Sequence, residues 1–219
     1  SSMDRPWLSA YAPGVPTDVE EDAPVTVTLQ RSAERFPSHI ATDFLGAVTT
    51  YADLARRVDR AASALLALGV RPGDRVAIVL PNCATHVVAF YAVLRIGGIV
   101  VEHNPTYTTD ELRHQLADSG STVAIVWEKA VARVLEAKPD TSVHTVVAVN
   151  LADDLPWIKR LALHVPIGAA RKTRASMRSR IPAGVLRWDR VVHRAHALPA
   201  SHPQPAAEDV ALLQYTGGT

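Results

Sequence analysis

The stretch best suited to chemistry is Thr216-Gly217-Gly218-Thr219, directly after the apolar run DVALLQY that ends at Tyr215. Glycine tolerates positive φ and lets a backbone come close to a ligand, so successive N–H groups in such a turn can converge on an anion. The flanking threonine hydroxyls add donors for phosphate oxygens. The chemistry this arrangement serves is phosphate binding, with Tyr215 at its base. Ordinary turns use the same residues, so the four alone do not separate the two readings. No GxxxxGK[ST] run and no GxGxxG run occurs in the chain, so neither of those two nucleotide loops is at work here.

Other reactive side chains carry weaker signals. Glu102, His103 and Asn104 stand at the end of the run IVVEHNP; the plain reading is a polar strand terminus, with Asn104-Pro105 opening a turn. Glu102 has no partner visible in its neighbourhood. Cys83, the only cysteine, precedes a helix start, a place that can lower a thiol pKa; a small buried residue is the simpler account. The nine histidines show no metal-ligand spacing, and no metal site is expected.

From Trp157 to Arg187 the chain carries eight Lys or Arg and no Asp or Glu, although its net charge is only +1. Trp157, Lys159 and Arg160, then Arg171, Lys172, Arg174, Arg178 and Arg180, pair apolar surface with positive charge. That combination fits contact with an anionic membrane surface; a solvated loop is the bland alternative. Few aromatics are interleaved and no nucleic-acid motif is present, so a nucleic-acid partner is not expected.

These residues need a scaffold, and the patterning supplies one. VTVTLQRSAERF reads as a short helix with Val27, Leu29 and Ala33 or Phe36 inward, ended by Pro37. IATDFLGAVTTY reads as a hairpin around Gly46. Leu54, Val58, Ala61, Leu65 and Leu68 recur at helical spacing, with Thr50 and Asp53 as start and Gly69 as stop. Apolar runs at RVAIVLPN, IVVEHNP, TVAIVW and HTVVAVN then alternate with helical segments; Thr108 with Glu111 marks one start and Gly120 its stop. The expected fold is α/β: a doubly wound, mostly parallel sheet with helices on both faces. In such sheets ligands lie beyond the carboxyl ends of strands, which draws attention to EHNP and TGGT. Six prolines between 152 and 207 break the rhythm. The divisions expected are an arm with first strands (1–48), an α/β core (49–151), a basic proline-rich insertion (152–207), and a last strand with its loop (208–219).

DVALLQYTGGT resembles the phosphate-binding loop of adenylate-forming enzymes, and in particular of long-chain fatty-acyl-CoA ligases, where it continues TGxxKG. TTYADL (49–54) is similar to that family's TYxEL element, and LRIGGIVVEHNPTYTTDELRHQLADSG (94–120) to its GG-V-N-NP-YT--EL-HQL-DSG stretch. The likeness covers most of 25–151 and 208–219. It implies activation of a long-chain fatty acid by ATP and Mg²⁺ and transfer to coenzyme A, with Tyr215, Thr216, Gly217, Gly218 and Thr219 on the ATP phosphates. It also implies that the loop lysine and catalytic lysine lie past Thr219. The chain is therefore expected to be an inactive N-terminal piece of a ligase with no catalytic residue of its own.

Open strand edges in such a piece would favour self-association into a homodimer. The readings that compete are a ligase loading a carrier protein and a non-catalytic α/β binding module. A nicotinamide dehydrogenase lacks its fingerprint. One cysteine, no 18-residue apolar run and no leader pattern point to a cytoplasmic setting, with contact at the inner membrane face. Ser1 and Ser2, ahead of Met3, are set aside as a tag remnant.

Overall fold

The computed structural model describes residues 25–156, 159, 161, 168–177, 179–206 and 211–214. Helix α1 (Val25–Arg35) stops ahead of Pro37 and turns Thr26 and Leu29 inward. Phe36, one of the residues expected to point inward, is exposed and stacks on His39 with ring centroids 5.1 Å apart. The helix has ended by then, so its period no longer sets the direction of that ring. The hairpin forms as a separate antiparallel pair, β1 (Ile40–Phe44) with β2 (Ala47–Thr50). At its turn the Asp43 carboxylate accepts from the Gly46 amide at 2.9 Å.

Helix α2 (Tyr51–Ala67) follows at once, with Thr50 Oγ1 accepting from the Asp53 amide at 3.2 Å. β3 (Arg75–Val79), α3 (Ala84–Arg95), β4 (Ile99–Glu102), α4 (Thr109–Ser119), β5 (Val123–Trp127), α5 (Val131–Ala137) and β6 (Thr145–Val149) alternate as the pattern implies. The capping box of α4 is complete: Thr108 Oγ1 accepts from the Glu111 amide, and the Glu111 carboxylate accepts from the Thr108 amide at 2.7 Å. Helix α5 is shorter than its segment promised, because tight 3₁₀ turns at Glu128–Ala130 and Lys138–Asp140 flank it. Downstream lie α6 (Gly168–Met177), β7 (Leu186–Arg187), α7 (Trp188–Arg194) and β8 (Ala211–Gln214). The first three occupy the proline-broken stretch, where no period runs long enough to be read.

All six strands from β3 onward pair in parallel, in the order β7-β6-β5-β3-β4-β8. The chain lays β4 on one side of β3, then crosses to build β5 and β6 on the other. Crossovers of one hand, run in opposite directions, place their helices on opposite faces. The core divides accordingly. Val76, Ile78, Val100, Ile125 and Val147 pack with residues of α1, α2, α3 and α7; Ala77, Val79, Ala124, Val126, Val146 and Ala148 pack with those of α4 and α5. Between α3 and β4 the backbone runs so close to Val93 that a Cβ on Gly98 would meet Val93 Cγ1 at 2.9 Å, which requires glycine there.

After β6, a 3₁₀ turn (Leu151–Asp154) brings a buried carboxylate against the start of α3. Asp154 accepts from the Thr85 amide at 2.9 Å and from the Thr85 hydroxyl at 2.8 Å. An Asp154→Ala change leaves both donors without their acceptor, at an expected cost of about 2 kcal/mol. Asp154→Asn, which keeps one acceptor oxygen, should lose less. Urea unfolding followed by circular dichroism reads the difference; coincident midpoints for Asp154→Ala and the parent would show that the carboxylate holds nothing.

Candidate functional site

The carboxyl edge of the parallel sheet gathers most of the polar side chains that could do chemistry. Glu102 ends β4, and His86 lies in the first turn of α3, on the helix that arises from the neighbouring β3. A helix returning between parallel strands starts at their carboxyl edge, so the two residues meet: His86 Nε2 stands 2.7 Å from Glu102 Oε1, both about one-fifth exposed. The sequence reading left Glu102 without a partner, since that partner is sixteen positions earlier. The βαβ topology was the signal that could have found it.

His103 points to the opposite face, where its Nδ1 meets Gln115 Oε1 of α4 at 2.8 Å. It is buried, and burial holds its pKa below the ordinary 6.5, against the Gln115 hydrogen bond, which raises it. Asn104 makes a turn of its own: its Oδ1 accepts from the Thr106 amide at 2.9 Å and the Thr106 hydroxyl at 2.7 Å. Arg133 of α5 closes that turn, donating to the carbonyls of Pro105, at 2.7 Å, and Tyr107. Cys83 caps α3 with its sulfur, which accepts from the His86 amide at 3.4 Å. Burial, with the charge of Asp154 nearby, pushes its thiol pKa up to about 12. The helix start therefore fails to activate it, and at neutral pH it is a buried thiol.

Next to β4 runs β8, with Glu102 in register with Gln214. The chain thus leaves β8 at the carboxyl edge, one strand away from the His86–Glu102 pair. Tyr215, Thr216, Gly217, Gly218 and Thr219 lie outside the described residues, as do Trp157, Arg160 and Arg178. Arg174 is described only as part of the α6 backbone. Of the other basic candidates, Arg171, Lys172 and Arg180 are exposed, while Lys159 donates its ammonium to the Leu45 carbonyl at the hairpin tip. Leu161 beside it is 63% exposed.

Comparison with known proteins extends this picture. The family model described as AMP-binding enzyme matches residues 29–219. The long-chain-fatty-acid–CoA ligase of Escherichia coli O6:H1 (strain CFT073) is 34% identical over 222 residues, covering 99% of this chain and 39% of that protein. A salicyl-AMP ligase / salicyl-S-ArCP synthetase of Mycobacterium tuberculosis is 36% identical over 146 residues, 61% of this chain and 26% of that protein. Among solved structures, a long-chain-fatty-acid-CoA ligase from Archaeoglobus fulgidus shares the fold at a TM-score of 0.68 and 22% identity, over 95% of this chain and 37% of that one. The chain spans about two fifths of the length of the fatty-acid ligase it matches at 39%.

The buried imidazole of His103 gives the site region a pH readout. Its folded pKa is depressed, so below about pH 6.5 the unfolded chain takes up the proton first and stability falls with pH. Above the unfolded value the effect vanishes. The expected slope on the acid side is at most about 1.4 kcal/mol per pH unit, and His103→Asn should flatten it. Urea midpoints measured from pH 7.5 down to pH 5 test this; identical slopes for the two proteins would exclude His103 as the cause.

Proposed function

The chain belongs to the AMP-binding enzyme family, and we propose that it is the N-terminal part of an ATP-dependent, AMP-forming long-chain-fatty-acid–CoA ligase. The observation that carries this reading is the seating of β8 against β4, in register at Glu102 and Gln214, so that the chain leaves β8 at the carboxyl edge, where parallel sheets bind ligands. The likeness of nearly the whole chain to a fatty-acid–CoA ligase supports a fatty acid as the substrate class.

In the first half-reaction a fatty carboxylate oxygen attacks the α-phosphorus of ATP, and pyrophosphate leaves. In the second, the coenzyme A thiolate attacks the acyl carbonyl of the adenylate and AMP leaves. A free carboxylate is a poor electrophile; its adenylate is a good one. Tyr215 through Thr219 are assigned to the β- and γ-phosphates, their amides and hydroxyls donating to phosphate oxygens. Mg²⁺ enters with the nucleotide as a hard cation bound by oxygen. Among the described residues no three His, Cys, Asp or Glu side chains gather to hold a metal.

A carrier-loading ligase is the second reading, favoured by the partial match to salicyl-S-ArCP synthetase. The complete gene product decides between them. Pyrophosphate release that depends on a long-chain fatty acid, followed by acyl-CoA once coenzyme A is added, is the expected result, with residues 1–219 alone inactive. Adenylate that ignores coenzyme A selects the carrier reading, and silence with every fatty acid rejects both.

The basic segment is assigned to an anionic lipid surface, where fatty acids collect. Exposed Arg171 and Lys172 on α6 and the exposed Leu161 support this; no helix among the described residues is long and apolar enough to cross a membrane. Charge reversal of Arg171, Lys172 and Arg174 should abolish sedimentation with phosphatidylglycerol vesicles. Binding that survives both the reversal and high salt would remove the lipid assignment.

A further inference from the structure

Leu45 and Gly46 form the two-residue loop between β1 and β2, and both have positive φ, 52° and 89°. That is the pattern of a type I′ turn, which favours Asn or Asp ahead of Gly because short polar side chains tolerate the left-handed region. A leucine at that position is strained, and no burial offsets the strain: Leu45 is 56% exposed. Ile40 and Val48 of the same hairpin are 62% and 50% exposed. The inner face does the packing. Thr49 is buried, and Phe44 packs on Ala152 and Leu155. Val48, opposite Asp43, belongs to the outer face. Neither strand has a further neighbour among the described residues. The hairpin therefore presents three apolar side chains that its own fold does not use.

Positive charge lies beside them. Lys159 donates its ammonium to the Leu45 carbonyl. A Cβ on Gly46 would lie 3.9 Å from Pro156 Cγ and 4.0 Å from Lys159 Nζ, so the tip is seated and its leucine projects from a fixed base. Asp43, an acid of the outer face, turns its carboxylate onto the Gly46 amide. Helix α6 packs against the 3₁₀ turn Leu151–Asp154, and Phe44 packs against Ala152 of that turn. Hairpin and α6 thus flank one turn, with exposed Arg171 and Lys172 on the helix. An apolar tip beside cations matches a bilayer with anionic headgroups. The side chain enters the boundary between headgroups and acyl chains while the cations meet phosphates. Each signal alone gives marginal, reversible binding; the two together hold.

We infer that the β1–β2 hairpin is the apolar prong of a lipid-binding surface: Leu45, with Ile40 and Val48 behind it, inserts into an anionic bilayer beside Lys159 and α6. This rests on the reading of this side of the chain as a lipid surface, and the test separates the two claims. Leu45→Asn pulls fold and surface apart. Asparagine suits the positive φ better than leucine, so the urea midpoint should hold or rise. The concentration of phosphatidylglycerol vesicles needed to sediment half of the 219-residue chain should nevertheless rise about tenfold, the effect of one leucine no longer withdrawn from water. Leu45→Met, which keeps an apolar side chain, should bind within about twofold of the parent. Val48→Thr, which suits a strand, should weaken binding in the same direction as Leu45→Asn. Unchanged vesicle binding by Leu45→Asn overturns the role of the hairpin, whatever charge reversal on α6 does, and leaves its outer face to a protein partner. If charge reversal leaves binding intact while Leu45→Asn weakens it, the basic segment fails and the hairpin stands. A parent chain that does not sediment with these vesicles at all overturns both.

Discussion

A parallel strand cannot be reached by a hairpin. Each must be entered through a crossover, and that single requirement sends every strand's carboxyl end and every returning helix's start to the same edge of the sheet. The polar residues of this chain follow it. Cys83, Thr85 and His86 open α3; Glu102 and Asn104 close β4; Thr108 caps α4; Asn150 and Asp154 follow β6. They are scattered over more than seventy positions, yet they line one rim because the backbone can return in no other way. The strand order reverses at β3, whose neighbours are β4 and β5, and β8 lies on the far side of β4.

The same sheet explains an asymmetry in the core. On the α4–α5 face the strand positions alternate between small and branched residues: Ala77 and Val79, Ala124 and Val126, Val146 and Ala148. The α2–α3 face takes the branched series Val76, Ile78, Ile125, Val147 and Val149. Small residues let a helix approach closely, while larger ones fill a wider gap. Contact between α3 and the strand after it is close enough that Gly98 admits no Cβ.

Legibility in the sequence tracked this division. Strands buried on both faces announce themselves as apolar runs, and helices between them by period and cap, so 40–149 could be laid out element by element. The Thr108–Glu111 capping box and the Gly46 hairpin are written in adjacent residues, and both formed. Order within the sheet was not written locally. Nothing in a two-residue strand such as Leu186–Arg187 distinguishes it from loop, because its pairing with Val147 and Ala148 depends on a segment 39 positions away. Phe36 escaped for the converse reason: its helix was read correctly, but the pattern was carried one residue past its end. The His86–Glu102 pair was hidden from any scan of neighbouring positions.

What the sequence concealed most thoroughly is the use of buried charge. Arg95 reaches His202 and Pro203 across more than a hundred positions; Asp154 reaches Thr85 across 69; Glu128 accepts from the Ser179 amide across 51. In each case a charged side chain on or beside a regular element satisfies polar groups at a turn, a helix end or an irregular segment. Such backbone groups have no ladder to join and would otherwise need water. A charged donor or acceptor makes the stronger bond, and removing it strands its partner in a poorly solvated place. Period and composition identify the layers of the fold, but they say nothing about which side chain tethers which loop. That information sits in long-range pairs of one side chain and one backbone group, such as the tie between Arg95 in the last turn of α3 and the carbonyls of His202 and Pro203.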